Sequence, residues 1–249
     1  MCLLLLSYQT HPDYPLIVAS NRDEYYARPS KNLDYWPDAP DILAGQDLKE
    51  GGTWLGVNRH GRFAALTNVR ETQSQTTAKS RGHLVADFLQ DTASPDTFLQ
   101  ELAQHQRLFK GFNLLVGDEN SLFYFSNRDP RIQRLAPGYY GLSNHLLNTP
   151  WPKVRRGLVA FKAIVADDLS EQSLLTLLAN EEIASDHELP DAGIGLASER
   201  LLSPLFIKSA VYGTRTSSVI IKNRFGTLTF NEQNFGPHGL PLNNHRVEL

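Results

Sequence analysis

Residues 1–24, MCLLLLSYQTHPDYPLIVASNRDE, contain two short apolar runs, at 2–8 and 16–20, parted by His11-Pro12-Asp13-Tyr14-Pro15. Runs of this length bounded by turn-forming residues read as two buried strands joined by a hairpin. The chain therefore opens inside a sheet, and its single cysteine is the second residue.

Working outward, Asn21-Arg22-Asp23-Glu24 is followed by a polar, proline-containing stretch to about residue 41. Residues 51–58 and 62–69 read as two strands turning at Arg59-His60-Gly61. From 82 to 106, Leu84, Val85, Phe88, Leu89, Phe98, Leu99 and Leu102 fall at helical spacing, and Ser94-Pro95 starts a second helix there. Strands resume at 112–116 and 122–126 around Gly117-Asp118-Glu119-Asn120. Residues 137–144 lead into a helix from about Pro150-Trp151-Pro152 to about 167, and another covers 171–180. The acidic stretch 181–204 is expected to be a surface loop, and 217–222 with 227–231 form a hairpin across Asn223-Arg224-Phe225-Gly226. Strands at both ends with helices between them predict a layered α+β sandwich, not a doubly wound parallel fold.

With 249 residues and 41% hydrophobic content the chain fits one domain, 1–249. A net charge of -3 gives no basic footprint, which sets nucleic acid aside. The first apolar run is too short for a bilayer and lacks the flanks of a signal peptide, so a soluble, cytoplasmic protein without a transmembrane segment is expected. One cysteine excludes an internal disulfide and a cysteine-cluster metal site, and no histidine pair has metal-ligand spacing. Trp54 and Trp151 read as core aromatics. Gly51-Gly52 reads as a tight turn, because no Lys-Ser/Thr follows as a phosphate loop requires.

Removal of Met1 would leave Cys2 with a free α-amine beside its thiol. An α-amine titrates near pH 8 and a thiol near 8.5, so the neutral amine can serve as the thiol's base. Attack on an acyl carbonyl then needs oxyanion donors, a carboxylate to orient the amine and a guanidinium near the sulfur. Asn21-Arg22-Asp23-Glu24 offers these groups, although strand alternation turns Asn21 and Asp23 to one face and Arg22 and Glu24 to the other. Taken alone, the tetrapeptide is more commonly a solvated turn with surface ion pairs.

Met1-Cys2, Asn21-Arg22-Asp23-Glu24, Gly51-Gly52-Thr53-Trp54-Leu55-Gly56, Gly111-Phe112-Asn113-Leu114, Gly141-Leu142-Ser143-Asn144, Thr149-Pro150-Trp151 and Tyr212-Gly213-Thr214-Arg215 occur in this order. Together they resemble the NRDE family, also called the Transport and Golgi organisation 2 family. That family is similar in layout to the cysteine N-terminal-nucleophile hydrolases, such as penicillin V acylase and bile salt hydrolase. The resemblance implies a four-layer αββα sandwich with Cys2 as nucleophile and Arg22 beside it. It also implies Asn68 and Asn144 as oxyanion asparagines and Arg215 as a late arginine. The acylases place their aspartate three residues after the arginine, where this chain has Tyr25, and Asp23 is the local candidate instead.

Three functions stay open. The first is an amidohydrolase or acyltransferase acting on a small or lipid-like acyl amide, with no cofactor. The second, implied by the family, is haem trafficking with haem as a bound ligand; His145, beside Asn144, is then the first axial candidate to test. The third is an interaction scaffold.

Overall fold

The computed structural model describes residues 2–71 and 79–249, so the processing of Met1 lies outside the described residues. In chain order the elements are β1 (Cys2–Tyr8), β2 (Leu16–Tyr25), β3 (Ser30–Trp36), β4 (Ala39–Asp47), β5 (Leu55–Asn58), β6 (Phe63–Asn68), α1 (Gly82–Gln90), α2 (Pro95–His105) and β7 (Phe112–Gly117). There follow β8 (Leu122–Ser126), β9 (Asp129–Arg134), β10 (Gly138–Leu142), α3 (Pro152–Asp167), α4 (Glu171–Leu178), α5 (Leu196–Leu202), β11 (Tyr212–Lys222), β12 (Leu228–Phe235) and β13 (Pro241–Glu248). They fall into two compact units, each with its own antiparallel sheet.

The first unit takes the chain to Ala27, Pro137–Ser143 and Leu147–Leu249. Its six strands lie in the order β10-β1-β2-β11-β12-β13. Alternation along β1 and β2 sends Leu3, Leu5, Ile17 and Ala19 to one face, where they meet Val154, Phe161 and Val165 of α3 and Leu174 and Leu178 of α4. Burying each leucine, isoleucine, valine or phenylalanine among them contributes roughly 1.5–3 kcal/mol. Cys2, Leu4, Ser20 and Arg22 point to the opposite face.

The second unit is Arg28–Ala136 with Asn144–Leu146, and its seven strands run in sequence order from β3 to β9. Leu84, Val85, Phe88 and Leu89 of α1 and Leu99 and Leu102 of α2 bury against Ala44, Ala64, Leu114 and Val116 of this sheet. Ser94 caps α2 as expected, its Oγ accepting from Thr97 N at 3.2 Å. The glycine pair is a packing device: a Cβ on Gly52 would lie 2.3 Å from the Gly82 carbonyl carbon, and Thr53 N donates to Gly82 O at 3.1 Å. Only with no side chain at Gly52 can this segment pass against the start of α1.

Several expectations change. The polar, proline-containing stretch before residue 41, to which the sequence reading gives no element, holds β3 and the start of β4, and the segments 129–134, 138–142 and 241–248 are strands. The expected loop at 181–204 contains the short helix α5. The strand expected at 51–58 begins only at Leu55, while β11 starts at Tyr212 and not at 217, so Tyr212-Gly213-Thr214-Arg215 lies in the strand. Among the described residues no helix is long and apolar enough to cross a membrane.

Candidate active site

β2 runs on through the tetrapeptide to Tyr25, so alternation decides where each of the four side chains goes. Cys2 and Arg22 are direct Cα partners across β1 and β2, as are Leu3 and Asn21. Arg22, only 5% exposed, therefore shares the face of Cys2, away from the helices. Burial raises the Cys2 thiol pKa most strongly, the Asp23 and Glu24 carboxylates add to this, and the Arg22 guanidinium opposes them. The net direction is up. Cys2 is therefore a thiol at neutral pH.

The other two residues of the tetrapeptide face the helices. Asn21 Nδ2 donates to the carbonyls of Leu178 at 2.9 Å and Leu205 at 2.8 Å, and Ser217 Oγ donates to its Oδ1 at 2.6 Å. Leu178 ends α4, so Asn21 is an architectural residue that satisfies a helix terminus. Asp23 Oδ1 accepts from Thr214 Oγ1 at 2.7 Å, and that hydroxyl accepts from Ile207 N at 2.9 Å. Its Oδ2 lies 3.8 Å from Lys153 Nζ, with side chains 0% and 2% exposed. Burial drives the Asp23 carboxyl pKa up, while the Lys153 ammonium and the Thr214 hydrogen bond pull it back.

Arg215 occupies a bulge in β11, where the pairing with β2 shifts between Thr214 and Thr216. Its Nη1 donates to Tyr25 O at 3.4 Å. Tyr25 itself, at the position where the acylases have aspartate, is exposed and sets its ring edge-on to Tyr212 at 5.2 Å. Tyr212 OH donates to the Asp23 carbonyl at 3.1 Å. The structure thus brings Cys2, Arg22, Asp23 and Arg215 to one end of β1, β2 and β11.

Asn68 and Asn144 form a second group, in the second unit. Asn144 Nδ2 donates to Asn68 O at 2.8 Å, and Arg70 N donates to Asn144 O at 2.8 Å. Asn113, fully buried, uses Nδ2 to donate to Thr67 Oγ1 at 3.0 Å and to His145 O at 2.9 Å. Tyr124 OH completes it by donating to Asn113 Oδ1 at 2.7 Å. The His145 side chain is exposed.

Three residues emerge here that sequence reasoning did not assign a role. Ser143 Oγ donates to Cys2 O at 2.9 Å and so fixes the backbone of the cysteine. Thr214 sits inside a motif from which only the arginine was singled out. Lys153 had a visible signal: it heads the four-residue spacing of Lys153, Gly157, Phe161 and Val165, all on the buried stripe of α3.

A sequence profile described as Transport and Golgi organisation 2 matches residues 1–237. The chain belongs to that family. The human Transport and Golgi organization protein 2 homolog is 38% identical, covering 94% of this chain and 92% of the relative. The Drosophila melanogaster Transport and Golgi organization protein 2 is 30% identical, covering 96% and 95%. Among solved structures, the Caenorhabditis elegans N-acylethanolamine-hydrolyzing acid amidase ortholog superposes with a TM-score of 0.53 at 12% identity, over 88% of this chain and 92% of that one. At that identity the likeness concerns the fold alone, and this Transport and Golgi organisation 2 member has the α+β fold of the N-terminal-nucleophile hydrolases.

Proposed function

We propose that the protein is an N-terminal-cysteine amidohydrolase or acyltransferase acting on a small or lipid-like acyl amide. The observation that carries this reading is the Cys2–Arg22 cross-strand pair: the only thiol of the chain faces a buried guanidinium at the very start of the first strand. Antiparallel register puts Asp23 one step past Arg22, at the end of β1 from which the Cys2 nitrogen leaves the strand.

Once Met1 is removed, that nitrogen is an α-amine. It takes the Sγ proton as Sγ attacks the acyl carbonyl, and the new C–S bond pushes the carbonyl electrons onto oxygen. Asn68 and Asn144 are the oxyanion donors in this reading. Collapse of the intermediate breaks the C–N bond, and the departing amine carries away the proton held by the α-amine. Water, deprotonated by the same α-amine, then attacks the thioester and releases the acid with a regenerated thiol; an acceptor amine or alcohol in place of water gives acyl transfer. Arg22 stabilises the thiolate and Asp23 orients the α-amine.

The test joins intact mass with covalent trapping. Protein purified from its own host is weighed, then incubated with an activated acyl amide and weighed again after acid quench. The expected result is loss of Met1 and one acyl adduct that disappears in Cys2→Ala. Retained Met1, or an adduct indifferent to Cys2→Ala, sinks the reading.

A further inference from the structure

A lysine in the first turn of a helix faces the positive end of the helix dipole, and a lysine 2% exposed has lost its hydration; both effects oppose an ammonium at Lys153. Neither packing nor helix formation asks for this residue, since the stripe it heads continues as Gly157, Phe161 and Val165. What it meets is the carboxylate of Asp23, equally enclosed, with Oδ2 at 3.8 Å from Nζ. The helix is brought to this place by Gly141, where a Cβ would stand 2.6 Å from Val154 Cγ1, the residue next to Lys153.

We infer that Lys153 is a positioning residue of the candidate site, holding Asp23 as a fixed carboxylate on the helix-facing side of β2. The part of this inference that concerns turnover rests on the function proposed above; the ionisation of Asp23 does not. Thr214 fixes Oδ1 through a hydroxyl that is itself locked by Ile207 N, which leaves Oδ2 turned to Lys153. With both oxygens held, the carboxylate presents one geometry to the nitrogen end of β1. Replacing Lys153 by a neutral side chain leaves Asp23 in the same enclosure without its cation, and a proton takes that place.

The groups that share the surroundings of Asp23 are the α-amine at the start of the chain, Cys2 on β1, Arg22 and Glu24 on β2, Tyr212 and Arg215 on β11, Lys153 on α3, and Tyr26 beyond the end of β2. Among these, Lys153 is the cation whose attraction to Asp23 most opposes its burial. Lys153 meets Asp23 on the helix-facing side of β2, whereas Cys2 lies on the opposite face. Lys153 acts through Asp23.

The experiment follows the Asp23 carboxyl directly, by carbon-13 NMR of aspartate-labelled full-length protein, with the resonance assigned by its loss in Asp23→Asn. Wild type, Lys153→Met and Lys153→Arg are titrated between pH 4 and 9, each first shown folded by circular dichroism. Asp23 is expected to be ionised at pH 7 in wild type, to titrate at least about one pH unit higher in Lys153→Met, and to return toward the wild-type midpoint in Lys153→Arg. If Lys153→Met fails to fold, Lys153→Gln supplies the neutral variant. Superimposable titrations of wild type and the neutral variant, or a wild-type Asp23 already protonated at pH 7, overturn the inference. Acyl-amide turnover in the same samples separates the two ideas. The shifted carboxyl with an inactive wild type overturns the proposed function and leaves Lys153 in its role. An unshifted carboxyl overturns the role of Lys153 whatever the turnover.

Discussion

Cys2 and Arg22 stand opposite each other across β1 and β2, on the face of the first sheet away from α3 and α4. Arg22 lowers the thiol pKa against burial and two carboxylates. Arg22→Ala therefore moves the thiol further up and slows its alkylation by iodoacetamide at pH 7.5, by about three- to tenfold. Because the chain has a single cysteine, total alkylation reads Cys2 alone. An unchanged or faster rate in Arg22→Ala would refute the electrostatic role of the pair.

Asn21, next in the chain, has a different task. Three buried hydrogen bonds tie it to Leu178, Leu205 and Ser217. Asn21→Ala leaves two carbonyls without a donor and is expected to cost about 2–4 kcal/mol in urea unfolding, while Cys2 alkylation in the folded protein stays within about twofold of wild type. A stable Asn21→Ala with a strongly altered alkylation rate would reverse the assignment, making Asn21 a site residue.

This division of the tetrapeptide was legible in the sequence as far as strand alternation reaches. The hairpin of β1 and β2, the helices α1 to α4 and the start of α2 at Ser94-Pro95 were legible as well, because buried apolar residues repeat with a clear period. The strands that escaped are β4 and the four sheet edges, β3, β9, β10 and β13. Edge strands carry polar residues that discourage further pairing, so their apolar alternation is broken: β3 buries only Leu33 and Trp36, and β13 buries nothing fully. Within the site, Cys2, Arg22 and Asp23 were visible from position and charge. Ser143 was not, and of Lys153 only its place on the buried stripe of α3 was, since their partners lie 141 and 130 residues away in sequence and only the folded sheet brings them together.

Asp23 gives stability a pH dependence whose sign follows from its shift. Its carboxyl titrates higher in the folded chain than the ordinary value of 3.8. The folded state thus binds more protons than the unfolded state between these two values, and stability falls as pH rises through that window. Above the folded value the loss is complete. Asp23→Asn removes this contribution, so the stability difference between variant and wild type should move in favour of the variant from about pH 4 upward and then level off. Urea midpoints of the two proteins from pH 4 to 8 provide the measurement, and a difference that is flat, or that moves in favour of wild type, contradicts the assignment.

Asn113 controls the second group. Its amide is fully used, donating to Thr67 and to the His145 carbonyl and accepting from Tyr124, so the segment carrying Asn144 is clamped from beneath by a side chain that water does not reach. Tyr124→Phe removes one donor and leaves the Asn113 oxygen unpaired, at a cost of about 1–3 kcal/mol. Asn113→Ala removes its hydrogen bonds with Thr67, His145 and Tyr124 together, and should cost more. Because both changes break the same contact, the double variant should be less unstable than the sum, with a coupling of about 0.5–3 kcal/mol. The local consequence is read at the Arg70 amide, which donates to Asn144 O at 2.8 Å. Its hydrogen exchange should quicken in Asn113→Ala while amides in the core of β7 and β8 keep their protection. Full additivity together with an unchanged Arg70 amide would mean that Asn113 packs in this core without positioning Asn144.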